Sequence, residues 1–321
     1  MKNSTASMTT RQALVGDIGG TNARFALADP ETLSLDRFAA YPCRNFSSLE
    51  EALGAYLKTL PRVPARACLG VAAPLGAEPV RMTNLNWTFT ADSLRAASGI
   101  DDLRLINDFE AQARALPHLL PQDLHRIGGG EPAGLMPKVV LGPGTGLGMA
   151  GLVHGGEGWI PVASEGGHIG FAAETDEEVA IARRMAALVK RVSTERLVSG
   201  PGLAEVYAIL GDLRGSPRDP VTVARLFELA SEGGDTIASD AATYFARWLG
   251  RFAGDMALAY GAAGGVYIAG GIAPRILALL ETGPFWESFC DKGRLSGLLE
   301  AVPLRVVIAA DAGLRGAAVA L

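Results

Sequence analysis

Apolar positions in this chain come as short runs broken by glycine, alternating with longer stretches whose hydrophobic residues recur at helical spacing. The first run, Leu14-Val15-Gly16-Asp17-Ile18, is followed by Gly19-Gly20-Thr21-Asn22 and then by Ala23-Arg24-Phe25-Ala26-Leu27. Two apolar runs around a Gly-Gly pair predict a β-hairpin whose turn needs positive φ. Over residues 46–60, Leu49, Leu53, Tyr56, Leu57 and Leu60 form a helical stripe behind a Ser47/Glu50 capping box. Residues 67–73 read as a buried strand stopped by Pro74, residues 90–97 as a helix, and residues 103–106 as a strand. That strand runs into Asn107-Asp108 and a helical stretch over 109–116.

A second unit repeats the first design. Val139-Val140-Leu141 leads into Gly142-Pro143-Gly144-Thr145-Gly146-Leu147-Gly148 and a further strand over 149–153, which suggests two similar halves. Beyond it the pattern is mostly helical. Thr175 and Glu178 form a capping box, with Val179, Ala182, Met185, Val189 and Val192 as the apolar stripe. Helices follow over 203–210 and 240–260, the latter with Tyr244, Trp248, Phe252 and Met256 on one face. A buried strand over 265–269, the Gly270-Gly271 turn, a helix over 274–280, a strand over 304–309 and a short terminal helix complete the chain. Strands alternating with helices predict an α/β class, and the hairpins make the sheets mixed.

Length and composition narrow this picture. At 321 residues the chain is long for one core of roughly 100–200 residues, so two domains are expected. A net charge of −5 gives no basic footprint for nucleic acid or an anionic membrane, so backbone amides or a metal must hold any phosphate ligand. Cys43, Cys68 and Cys290 are scattered and show no CxxC spacing, which points to a reducing compartment. The polar opening lacks a secretory apolar core, and no stretch approaches the ~20 apolar residues of a membrane span. A cytoplasmic protein is expected.

Three places carry candidate chemistry. Amides in the two Gly/Thr turns can converge on an anion, with a Thr hydroxyl as an uncharged donor; alternatively both are plain tight hairpins. Neither is a P-loop, because the chain contains no Gly-Lys dipeptide, and the second turn does not open a helix as a Rossmann fingerprint would. Asp108, at the end of a strand, is either a helix N-cap or a general base at the carboxyl edge of a sheet. Ser164-Glu165-Gly166-Gly167-His168, with Glu195 further on, supplies two carboxylates and an imidazole suited to vicinal hydroxyls. His168 alone reads as a loop histidine, and Glu165-x-x-His168 has too few ligands for a metal site.

Taken in order, six segments resemble the bacterial glucokinases of the hexokinase/actin-like ATPase superfamily. They are Gly16-Asp-Ile-Gly-Gly-Thr-Asn-Ala-Arg24, Leu105-Ile-Asn-Asp-Phe109, Gly142-Pro-Gly-Thr-Gly-Leu-Gly148, Ser164-Glu-Gly-Gly-His168, Glu195-Arg-Leu-Val-Ser-Gly-Pro-Gly202 and Ile268-Ala-Gly-Gly-Ile272. The resemblance implies two RNase-H-like α/β domains with mixed sheets, helices on their faces and an interdomain cleft. The small domain would comprise residues 1–107 and 304–321, the large one residues 108–303. It further implies ATP-dependent phosphorylation of glucose, with Asp108 as base on the 6-hydroxyl. Gly16, Asp17, Ile18, Gly19, Gly20 and Thr21 resemble a first phosphate loop, with Asp17 near Mg²⁺ through water. Gly144, Thr145 and Gly146 resemble a second loop, and Gly270 and Gly271 an adenosine motif. The implied glucose ligands are Asn84, Asn107, Asp108, Glu165, His168 and Glu195, in a protein that forms a homodimer. Related repressor/kinases carry a cysteine-rich zinc site after the sugar motif and a helix-turn-helix before the first strand. Here no cysteine lies between Cys68 and Cys290, and about a dozen residues precede the first strand. Both points favour the zinc-free kinases over a sugar-sensing regulator, while a kinase for another hexose stays open.

Overall fold

The computed structural model of the protein describes residues 11–321; the first ten residues of the polar opening lie outside the described residues. The chain divides into two compact units, the first formed by residues up to Leu119 together with Ala309–Leu321, the second by Leu120–Ile308.

In the first unit the expected hairpin forms from β1 (Ala13–Ile18) and β2 (Asn22–Ala28), and β3 (Leu35–Pro42) extends it antiparallel. Helix α1 (Leu49–Leu57) leads to β4 (Arg66–Val71), which pairs parallel with β1. A two-stranded flap, β5 (Val80–Arg81) and β6 (Thr88–Phe89), precedes α2 (Ala91–Ser98), β7 (Asp102–Asn107) and α3 (Asp108–Ala115). The five-stranded sheet runs β3-β2-β1-β4-β7. Alternation along β1 separates two cores. Leu14 and Ile18 pack with Leu49, Leu53 and Tyr56 of α1 and Leu94 of α2, whereas Val15 packs with Leu314 and Ala317 of the C-terminal helix Ala312–Val319.

The second unit builds a six-stranded sheet around the second hairpin. In chain order its strands and helices are β8 (Leu124–Gly128), β9 (Lys138–Pro143), β10 (Leu147–His154), β11 (Trp159–Ser164), α4 (Asp176–Leu188), α5 (Gly200–Leu213), α6 (Val223–Glu232), α7 (Thr236–Tyr260), β12 (Val266–Ile268), α8 (Leu277–Leu280), α9 (Gly283–Cys290), α10 (Ser296–Ala301) and β13 (Leu304–Val307). The order β11-β10-β9-β12-β13-β8 repeats the first sheet's scheme: an antiparallel meander, then two parallel strands on the far side of the hairpin's first strand. The suspected likeness of the two halves is thus a likeness of topology. Strand β13, grouped with the N-terminal domain in the sequence reading, pairs with β12 and β8 in this second sheet; the terminal helix alone joins the first unit.

Local differences have clear causes. The cap of α1 is Ser48, whose side chain accepts from Glu51 N, with Ser47 held by the Glu51 carboxylate; the box is shifted one residue so that Leu49 enters the core. Thr175 caps α4 as expected, but the Glu178 carboxylate does not reach back to it. Glu178 turns inward, and the buried face of α4 is Glu178, Ile181 and Met185, with Val189 already outside the helix. Packing of α7 on α9 depends on two glycines. A Cβ at Gly250 or Gly254 would lie 2.2 Å from Phe285 O or 2.4 Å from Phe289 O.

Glu178 is 2% exposed and fully partnered: Trp248 Nε1 donates at 2.9 Å, Glu174 N at 2.7 Å, and Arg251 binds both oxygens at 3.0 Å. Burial by itself raises this carboxyl's pKa, but Arg251, the Glu174 amide and Trp248 outweigh it and hold it below its ordinary value. The stability this provides is present above the unfolded-state pKa and is lost as the pH falls through the lower folded-state value. Glu178→Ala is expected to cost about 3 kcal/mol, near the low end for breaking a buried pair because Glu174 still reaches Arg251. Denaturant unfolding at pH 7 measures it, and a loss that does not shrink toward low pH contradicts the assignment.

Candidate active site

Parallel register assembles the first unit's candidates. Ile18, Val71 and Asn107 stand side by side on β1, β4 and β7. The segments that follow β1 and β7 therefore leave the sheet at the same edge, two strand spacings or about 10 Å apart. One is the turn over 19–21, closed by Gly19 N donating to Asn22 O at 3.0 Å and steadied by Cys43 N on Thr21 O at 2.9 Å. The other is the start of α3. Here Asn107 is the N-cap, its side-chain oxygen accepting from Phe109 N at 2.9 Å and Glu110 N at 3.2 Å, and Asp108 is the first helical residue. The capping alternative for Asp108 thus passes to its neighbour. Asn84 sits exposed on the turn of the β5–β6 flap.

The expectation of a positive-φ first turn is corrected. Gly19 has no left-handed φ, and a Cβ there would meet nothing nearer than Asn22 O at 3.8 Å. Glycine leaves this backbone uncovered, which suits close approach of an anion more than turn geometry requires it. Asp17, on the Val15 face, faces Gly313 of the terminal helix, where a Cβ would come within 3.1 Å of its carboxyl carbon. Its Oδ2 accepts from Arg24 Nη1 at 3.2 Å, and Arg24 is its register partner across the hairpin. Although one-fifth of the side chain is exposed, burial pushes the Asp17 carboxyl above its ordinary value, and Arg24 pulls in the opposite direction.

In the second unit the predicted residues converge. The turn between β9 and β10 is closed by Gly144 N on Gly146 O at 2.7 Å, with Thr145 exposed at its tip. The first residue of α5 buttresses it, Gly200 N donating to Gly144 O at 2.9 Å. Gly270, at φ +87°, follows β12 beside the end of β9, its Cβ position 3.2 Å from Pro143 O. The Ser164–His168 motif ends in a 3₁₀ turn, Gly166–His168, one residue after β11. His168 lies between two carboxylates, Nε2 3.8 Å from Glu165 Oε2 and Nδ1 3.7 Å from Glu195 Oε1. The other oxygen of Glu195 accepts from Leu147 N at 2.9 Å, so the cluster abuts the turn itself. Three supports went unassigned in the sequence: Arg24, Gly313 and Arg191, whose Nη1 donates to His168 O at 3.0 Å. Hairpin register alone pairs Asp17 with Arg24; nothing in the sequence signals the other two.

A family model described as glucokinase matches residues 14–321. The chain belongs to the glucokinase family. A glucokinase of Caulobacter vibrioides (strain NA1000 / CB15N) is 45% identical over 316 residues, 96% of this chain and 94% of its own. Among solved structures, a glucokinase from an Antarctic psychrotroph is 38% identical with a TM-score of 0.82, over 97% of this chain and 98% of that one. A ROK family glucokinase from Streptomyces griseus, in complex with glucose and AMPPNP, shares the fold at 18% identity and a TM-score of 0.64, over 96% and 98% of the two chains. These matches bear out the α/β class with two mixed sheets flanked by helices.

Magnesium usually keeps several waters and binds through one or two carboxylates plus substrate phosphates. Among the described residues no group of three or more His, Cys, Asp and Glu side chains is arranged to hold a metal. One carboxylate, Asp17, beside an uncovered glycine turn fits a hydrated ion that arrives with the nucleotide. Because its folded-state pKa is raised, ionised Asp17 opposes folding, and stability falls as the pH rises from the unfolded value of 3.8 through the folded one. Asp17→Asn is therefore expected to raise Tm at pH 7, with the gain fading as the pH drops below that interval, and to lower kinase turnover by about 10²-fold or more. A lowered Tm at pH 7 contradicts the electrostatic assignment.

Proposed function

We propose that this chain transfers the γ-phosphoryl group of ATP to the 6-hydroxyl of glucose, giving glucose 6-phosphate. The observation that carries the reading, beside family membership, is the contact of Glu195 with the turn at Leu147. It brings the Glu165, His168 and Glu195 cluster, whose chemistry suits hydroxyls, against a turn whose amides would line an anion site. Carboxylate acceptors suit a neutral polyol and disfavour an acceptor that is itself anionic. The glucose held in the Streptomyces griseus relative agrees with that chemistry.

Amides of the turns at 19–21 and 144–146, with the Thr21 and Thr145 hydroxyls, would hold the phosphates, and Gly270 and Gly271 would border the adenosine. Asp17 would hold Mg²⁺ through its waters, and the ion supplies neutralisation of phosphate charge. Asn84, Asn107, Glu165, His168 and Glu195 would orient the sugar. Asp108 accepts the 6-hydroxyl proton as that oxygen bonds to the γ-phosphorus and the bond to the β-bridging oxygen breaks, releasing ADP. Phosphoryl transfer asks chiefly for positioning and charge stabilisation, which this donor set supplies. The N-terminus of α3 favours a negative charge at Asp108 before the proton arrives.

No described helix is long and apolar enough to cross a membrane, and the three cysteines are buried and free. The free cysteines suit the reducing, cytoplasmic compartment expected from their scattered spacing, and a homodimer is what the family resemblance implies.

Asp108→Asn is expected to lose about 10²–10⁴-fold in kcat while glucose binding persists, measured by coupled ADP release and by calorimetry. Near-normal turnover in that variant removes Asp108 from its role. Glu165→Gln is expected to raise the KM for glucose about tenfold or more, through loss of a charge-assisted hydrogen bond of ~1.5–3 kcal/mol. An unchanged KM counts against the sugar assignment.

A further inference from the structure

The segment 192–200 is fastened to the sugar motif at one end and to the second phosphate turn at the other. At the first end Phe171 N donates to Val192 O at 3.2 Å and Thr194 N to Ile169 O at 2.9 Å, around a bridge between Gly170 and Ser193. At the second, Gly200 N donates to Gly144 O. Glu195 lies midway, and its carboxylate divides between the two. Oε2 accepts from Leu147 N at 2.9 Å, while Oε1 faces His168 Nδ1 at 3.7 Å. Its side chain is 17% exposed, against 57% for Glu165 and 49% for His168. A Cβ at Gly146 would lie 2.4 Å from the same Oε2.

We infer that Glu195 is a positioning strut that couples glucose affinity to the second phosphate turn, with Gly146 lacking a side chain so that the strut can seat. The inference rests on the glucose reading above and adds a role that sugar contact alone does not give. A carboxylate is a rigid plane, so holding Oε2 on the Leu147 amide sets the direction in which Oε1 meets a sugar hydroxyl. A shift of the turn on nucleotide binding moves that acceptor, and by linkage sugar binding stiffens the turn for nucleotide by the same factor. In this account Gly146 answers to a carboxylate rather than to a phosphate. Gly144, two residues away, differs: a Cβ there meets nothing nearer than Gly146 O at 4.0 Å.

The test is calorimetric titration of glucose into the full chain with no nucleotide present. Gly146→Ala, which displaces Oε2 without changing any group proposed to touch the sugar, is expected to weaken glucose binding about tenfold, the scale of one charge-assisted hydrogen bond. Gly144→Ala alters the same turn but leaves the seat of Oε2 open, and its effect on glucose affinity is expected to be clearly smaller than that of Gly146→Ala. In a Glu195→Ala background, Gly146→Ala should have no further effect. Glucose affinity unchanged by Gly146→Ala, or weakened equally by Gly144→Ala, overturns the coupling in proteins whose thermal unfolding matches the unmodified chain. If the unmodified protein takes up no glucose at all, the sugar reading itself fails, an outcome distinct from both.

Discussion

Parallel strand pairing is the constraint on which the rest depends. In each unit the first strand of a hairpin also forms one side of a parallel pair, β1 with β4 and β9 with β12. Parallel strands end at a common edge, so whatever follows them is delivered there together. In the first unit that edge receives the turn over 19–21 and the start of α3, and in the second the turn over 144–146 and Gly270-Gly271. A slip of one residue would send Asp17 to the opposite face, among Leu49 and Tyr56, and would break the row that aligns Ile18 with Asn107. Core alternation therefore protects the chemistry: Leu14 and Ile18 cannot leave their side without exposing Asp17 to apolar neighbours.

The electrostatic design follows from a chain that carries a net charge of −5. No net cationic field would gather phosphate, so in the proposed reading anion recognition would fall to backbone amides and to an ion brought with the nucleotide. Asp17 is held at some cost in desolvation, offset in part by Arg24. Glu178, a carboxylate far more deeply buried, stabilises because every lone pair it offers finds a donor. The contrast is between a carboxylate whose burial outweighs its pairing with Arg24 and one whose partners outweigh its burial.

Both hairpins, the Asn107-Asp108 step and the main helices were legible because each joins a hydrophobic period to a turn residue. Of the strands in the two main sheets, three were not: β3, β8 and β11. All three are sheet edges, with one neighbour each, and their residues stay partly exposed, Phe38 and Ile160 among them. Alternation fades where one side faces water. The membership of β13 was illegible for another reason, since sequence nearness to the terminal helix carries no information about which sheet a strand joins. Glu178 misled because a capping-box glutamate and a buried one look identical in sequence; Trp248 and Arg251, some 70 residues on, decide between them. The residues of the Ser164–His168 motif were visible, whereas the contact of Glu195 with Leu147 spans 48 positions and a backbone amide, which no side-chain pattern records.

The strand-to-helix step at Asn107-Asp108 shows how adjacent residues divide work that either could do. An N-cap needs extended backbone and an oxygen aimed at the helix amides, and Asn107 meets both, at φ −67° and ψ 148°. Were Asp108 the cap, its carboxylate would instead be aimed at the amides of Glu110 and Ala111. With Asn107 in that place, Asp108 begins the helix, where the first turn fixes its backbone dihedrals. Gly70 of β4 lets this turn settle close to the sheet, its Cβ position only 3.7 Å from Asp108 Cα. The neutral amide thus caps the helix, and the charged residue next to it takes the first helical position.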